Sequence, residues 1–163
     1  MLIEQFRWLA GLIAAHPERK VVGRTRLQKT IYLLQLKGFP TDFSYSLHFY
    51  GPYSDGVNMG LRIVKQLGLV AEEQRSGQEN DYSIFRATEE AVLPQMSQFQ
   101  PWLALIQASA DVPLELAATY IAFRQMGYPE AEAMERTRLK KGAKCTPENL
   151  EIARSLLQEL KLL

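Results

Sequence analysis

Apolar positions recur every three to four residues over most of this chain and every second residue over one short stretch, a pattern that predicts helices with a small amount of sheet. Residues 2–16 put Phe6, Leu9 and Ile13 on one face of a helix that Pro17 ends, because the residue before a proline is turned away from helical geometry. Residues 24–37 group Leu27, Ile31 and Leu34 and leave Arg24, Arg26 and Lys29 on the polar side, with Gly38 as a C-terminal cap. From Phe43 to Tyr50, Phe43, Tyr45, Leu47 and Phe49 alternate with polar or hydroxyl-bearing residues, which predicts a strand over 43–50 with one buried face. Gly51-Pro52 makes a rigid turn, Ser54 is an N-cap, and helix 54–67 follows with Val57, Leu61 and Val64 inward and Gly60 permitting close helix packing. Extended stretches 69–75 and 82–87 flank the polar run 76–81, a β-hairpin with a longer loop.

Thr88 is placed to cap a helix beginning at Glu89, and Pro94 and Pro101 divide the region up to Ala110 into short pieces. Residues 113–127 are apolar on two faces, the mark of a buried central helix, and charged helix 129–141 and helix 147–161 complete the chain, the last with Thr146-Pro147 as its cap. The fold class expected is mainly α with a small β-sheet (α+β): a winged-helix-like domain over 1–100, with helices 101–163 packed on it. The predicted order α-α-β-α-β-β departs from the α-β-α-α-β-β of the common winged helix in placing the first strand after the second helix.

Composition narrows the function. A chain of 163 residues can build a core without metal or disulfide. Glu4 and Arg7 interrupt any apolar signal core, no stretch approaches a membrane span, and Cys145 is the lone cysteine, which together point to a reducing, cytoplasmic setting. Two histidines, His16 and His48, with one cysteine form no metal-ligand spacing. No nucleophile elbow is present, and Gly56-Val57-Asn58-Met59-Gly60 lacks the lysine of a phosphate loop. The expectation is therefore no enzyme active site, no metal and no cofactor.

The formal net charge of +1 is far from that of a typical nucleic-acid binder. Two basic clusters nevertheless stand out, Arg19/Lys20/Arg24/Arg26/Lys29 and Arg136/Arg138/Lys140/Lys141/Lys144. Against them, the hairpin carries Glu72, Glu73, Glu79 and Asp81 beside Arg75, and such a wing would repel a phosphate backbone. Tyr50 and Tyr53 flank the Gly-Pro turn and are the candidates for an exposed aromatic patch.

The run Arg26-Leu27-Gln28-Lys29-Thr30-Ile31-Tyr32-Leu33-Leu34-Gln35, followed by Phe43-x-Tyr45-x-Leu47-His48-Phe49-Tyr50-Gly51-Pro52-Tyr53-Ser54, resembles the YwgA-like proteins, a bacterial and archaeal group without an assigned activity. More distantly it is similar to the SocA-like, or Panacea, antitoxin domain, which shares the Leu-Gln-Lys-type helix, the extended segment and the Gly-Pro turn. The resemblance covers about residues 20–90 and leaves the later helices outside. It implies a protein-binding role, neutralising a partner toxin or presenting it to a protease.

The reading is a non-enzymatic protein-interaction or regulatory module whose partner is another protein, with a second copy of the chain also admitted. Its contact residues are expected among Arg24, Arg26, Lys29, Tyr50, Tyr53, Asn58 and Arg62. The alternative is a DNA-binding winged-helix regulator that meets phosphates through the Arg24–Lys29 cluster.

Overall fold

A computed structural model describes residues 2–49 and 51–163, with the side chains of Leu2 and Ile3 excepted. Seven α-helices are named in chain order: α1 (Leu2–Ala14), α2 (Arg24–Gln35), α3 (Asp55–Gln66), α4 (Gln100–Ala108), α5 (Asp111–Gln125), α6 (Glu130–Lys141) and α7 (Pro147–Glu159). The strands are β1 (Lys20–Val22), β2 (Ser46–His48), β3 (Gly51–Tyr53), β4 (Val70–Ser76) and β5 (Asp81–Ala87). β1, β5 and β4 form an antiparallel three-stranded sheet in that order, and β2 and β3 form a separate two-stranded ribbon. The chain is thus mainly helical with small antiparallel sheets.

The first strand corrects the predicted order. β1 follows α1 and pairs Val21 with Phe85 on β5, so the sequence of elements is α-β-α-α-β-β with the β2–β3 ribbon inserted before α3. Three residues are too short for an alternation to register, and Lys20 beside Arg19 reads in the sequence as part of a basic cluster.

The strand expected over 43–50 is reduced to Ser46–His48. The reason is visible at Gln35. Its side chain accepts a hydrogen bond from the Phe43 amide (2.8 Å) and donates one to the Phe43 carbonyl (3.1 Å), so this extended segment is satisfied by a side chain in place of a strand neighbour. Burial fades along the supposed inner face. Phe43 is buried, Tyr45 and Leu47 are half-buried, and Phe49 is 79% exposed. The predicted helix at Glu89 is also absent: the Thr88 hydroxyl donates to the Gly68 carbonyl at 2.6 Å, and the chain runs through a 3-10 segment, Pro94–Phe99, into α4.

Elsewhere local chemistry sets the boundaries. α1 stops two residues before the expected His16, whose Nδ1 lies 2.8 Å from the Leu12 carbonyl, one of the orphan groups of the helix end. The Thr146 hydroxyl accepts from the Asn149 amide at 3.1 Å and starts α7. α5 is the central helix, with every residue from Pro113 to Phe123 buried. Around it one continuous apolar core runs from Phe6, Leu9 and Ile13 through Leu27, Leu61 and Phe85 to Leu157 and Leu160, joining the N-terminal elements to the C-terminal helices. Such a core makes the two parts one folded body.

Glu115 on α5 is buried and accepts from Lys141 Nζ (2.6 Å) and Lys144 Nζ (3.0 and 3.1 Å), which fixes the end of α6 against the core. Burial alone would raise its carboxyl; the hydrogen bonds and charges of the two lysines outweigh that and hold it below its ordinary value.

α1 and α3 pack closely because Gly60 is buried at their crossing. A Cβ there would lie 3.0 Å from Leu9 Cδ2. Replacing Gly60 by Val is expected to lower stability by about 1–3 kcal/mol through overpacking, read as an earlier midpoint in urea with an unchanged slope. An unchanged midpoint would mean that the crossing has slack.

Candidate functional site

The turn into α3 organises the surface of interest. Gln28, buried on α2, donates from Nε2 to the Ser54 carbonyl and accepts at Oε1 from the Ser54 amide, both at 2.9 Å. Ser54 in turn uses its hydroxyl to accept from the Val57 amide at 3.3 Å, and Asp55 adds negative charge in the first turn. A glutamine side chain thereby pairs with a backbone residue as a neighbouring strand would, and α3 begins where α2 dictates. Gly51, at φ 104°, passes directly over α5: a Cβ there would meet Thr119 Oγ1 at 2.8 Å. The paired motifs Leu27-Gln28-Lys29 and Gly51-Pro52-Tyr53-Ser54 are two halves of this joint.

Along the outer side of the joint runs a chain of polar contacts. Asn58 donates to the Tyr53 hydroxyl and accepts from Arg24 Nη1 at 2.9 Å. Arg24 Nη2 reaches Glu72 Oε2 on β4 at 3.0 Å, with its guanidinium 5.1 Å from the centre of the Phe85 ring. Lys65 and Ser83 also donate to the Glu72 carboxylate, Lys65 at 2.7 Å. Burial would raise the Glu72 carboxyl, but the hydrogen bonds from Lys65 and Ser83 and the charge of Arg24 hold it below its ordinary value. Arg24, Asn58, Arg62, Lys65 and Glu72 line a groove of about 320 Å³. On the same helix Met59 and Leu67 are 59% and 58% exposed.

Of the residues predicted to meet a partner, the structure brings together Arg24, Asn58 and Arg62 around the groove, with Tyr53 beside them. Tyr53 is half-buried and stacks on His48 at 4.9 Å. Tyr50 lies outside the described residues. Arg26 and Lys29 go elsewhere. Arg26 is occupied by Asp111 and by the carbonyls of Ile106, Gln107 and Ser109, so it caps the C-terminal end of α4. Lys29 is 2% exposed, and burial lowers its ammonium to about 8 despite the nearby Glu115. The helix wheel places these cations on the polar side of α2, but the C-terminal helices cover that side.

The charges of the β4–β5 hairpin need the same correction. Glu72, read as one of four repelling carboxylates, has a side chain only 8% exposed and is neutralised by Arg24 and Lys65. Glu73 faces Arg75 and Arg86. In the second basic cluster Lys141 and Lys144 are bound to Glu115, and Arg136 pairs with Glu132 and lies over the Tyr128 ring. Burial raises the thiol of Cys145, the opposite of what an activated nucleophile needs. Among the described residues no three metal-ligating side chains cluster, and no helix is long and apolar enough to cross a membrane. The exposed Met59, and Glu72 as the hub of the polar chain, are the features of this candidate surface that periodicity missed. The exposed stripe 55, 59, 62 and 66 was the only sequence signal for the first.

The chain is similar to the uncharacterised protein YwgA of Bacillus subtilis, 28% identical over 149 residues that cover 87% of this chain and 89% of that protein. No family model matches it. The similarity extends well past residues 20–90 into the C-terminal helices, which the motif alone left outside. That extent fits the single core and supports a YwgA-like family.

The buried ammonium of Lys29 has a signed consequence. Its folded value lies below its unfolded one, so the unfolded chain binds more protons between about pH 8 and 10.5 and the penalty fades as pH rises through that window. Lys29→Met is expected to be more stable than the parent at pH 7, by up to about 3 kcal/mol, and the gap should shrink to about a quarter of that by pH 10. Urea titrations at both pH values measure it. A gap that widens with pH would show that the charged form is favoured inside.

Proposed function

We propose that this protein is a non-enzymatic binding module whose N-terminal half is a winged helix and whose contact surface is the exposed face of α3. The α-β-α-α-β-β order and the β1-β5-β4 sheet support the first part. For the second, the observation that carries the reading is the division of labour among the cations. Arg26 and Lys29 serve the interior, whereas Arg62 is exposed on α3 one turn from the exposed Met59 and has no acidic partner among the described residues. A surface that combines an exposed methionine with arginine and lysine suits a protein segment carrying both apolar and acidic side chains. Arg24, Arg62 and Lys65 against Glu72 leave the groove at +2, from three cations less one anion.

A duplex is the second reading, since α3 stands where a recognition helix would. It is disfavoured because the basic cluster it needs is consumed internally and because Glu79 and Asp81 remain exposed at the wing tip. An antitoxin-like role in the cytoplasm is the biological form of the first reading that the motif resemblance suggests.

The test pairs Met59→Glu/Arg62→Glu with Arg138→Glu, a remote control, in affinity capture under native conditions and in mobility shifts on random duplex at low salt. The expected result is a stoichiometric protein held by the parent and the control, bound roughly tenfold or more weakly by the α3 variant, with no duplex shift. Retarded duplex that is released by Arg62→Glu would establish the second reading in its place. Equal capture by all three proteins would move the interface off α3.

A further inference from the structure

A second concavity, of about 450 Å³, opens on the other side of the β3–α3 joint. Its lining includes four aromatic side chains, Phe6 from α1, Phe43 and Tyr45 from the segment before β2, and Tyr53 from β3, together with two carboxylates, Asp42 and Asp55. No lysine, arginine or histidine lines it. Both aspartates are exposed, and neither has a basic partner within ion-pair distance among the described residues. The Tyr45 hydroxyl is buried and has no hydrogen-bond partner among the described residues, an unusual condition for a phenol otherwise packed edge-on against Tyr32.

We propose that this pocket binds an organic cation, an ammonium or guanidinium group seated among the aromatic rings with Asp42 and Asp55 at its mouth. Aromatic rings attract cations through their quadrupoles, and two unpaired carboxylates set the sign of the local field. A phosphate or carboxylate ligand is refused by the same charges. The cation can be a free amine or the side chain of a lysine or arginine on another protein; the recognising chemistry is the same. The proposal does not rest on the reading of the α3 face, which has the opposite charge and shares with this pocket the side chain of Met59.

The full-length protein is titrated with tetramethylammonium, with spermidine and with a blocked single-lysine peptide while amide resonances are followed by NMR. Saturable shifts centred on residues 42–46 and 53–59 are expected. They should weaken roughly tenfold in Asp42→Asn/Asp55→Asn, and also as NaCl is raised to about 0.5 M. Asparagine suits Asp42 because that residue holds φ 52°, a conformation asparagine also tolerates, so the variant should fold. Tighter binding of spermidine assigns a free amine as the ligand, and tighter binding of the peptide assigns a partner's side chain. Absence of shifts for all three probes at about 20 mM, or shifts unchanged in the Asp42/Asp55 variant, overturns the proposal.

Discussion

The pair of hydrogen bonds between the Gln28 side chain and the Ser54 backbone is the constraint on which the outer half of the molecule depends. Both groups of Ser54 are buried, and buried backbone left unpaired costs about 1–3 kcal/mol per group. By satisfying them from α2, Gln28 fixes the place where β3 ends and α3 starts. Everything exposed on α3, and both concavities beside it, inherit their geometry from that joint. Gln35 repeats the device two turns further along the same face of α2, holding the Phe43 backbone and so one wall of the aromatic pocket. Two glutamines of one helix do the work that an additional strand would do in a larger sheet.

Charge is distributed according to the same logic. The acidic groups that enter the interior, Glu72 and Glu115, each meet two basic side chains and remain ionised. Arg26 is spent on the end of α4. What is left at the surface near α3 is a cationic groove on one side of the joint and an uncompensated pair of aspartates on the other. A near-neutral total of +1 therefore conceals two local fields of opposite sign, a few residues apart.

Much of the helical architecture was legible in the sequence because helices of twelve or more residues repeat their apolar face several times. The Phe6/Leu9/Ile13 stripe, the Ser54 and Thr146 caps and the wholly buried α5 are all stated by local pattern. β1 was not legible, since three residues carry no period. The 43–50 alternation was misleading because Gln35 substitutes for the neighbouring strand that alternation implies. Candidate residues fared according to their surroundings. Arg24, Asn58 and Arg62 converge because they lie around the start and outer face of α3. Arg26 and Lys29 belong to a helix side that only the C-terminal helices reveal to be covered. A helical wheel identifies which residues share a side, and tertiary packing decides what that side meets.

Amide hydrogen exchange in the parent and in Gln28→Ala tests the joint most directly. The Ser54 and Val57 amides should be protected in the parent and should lose that protection by roughly ten- to a hundredfold in the variant, while amides of the central helix α5 stay protected. A Ser54 amide that exchanges at the rate of an open loop in the parent, or that is indifferent to the loss of Gln28, would contradict the account.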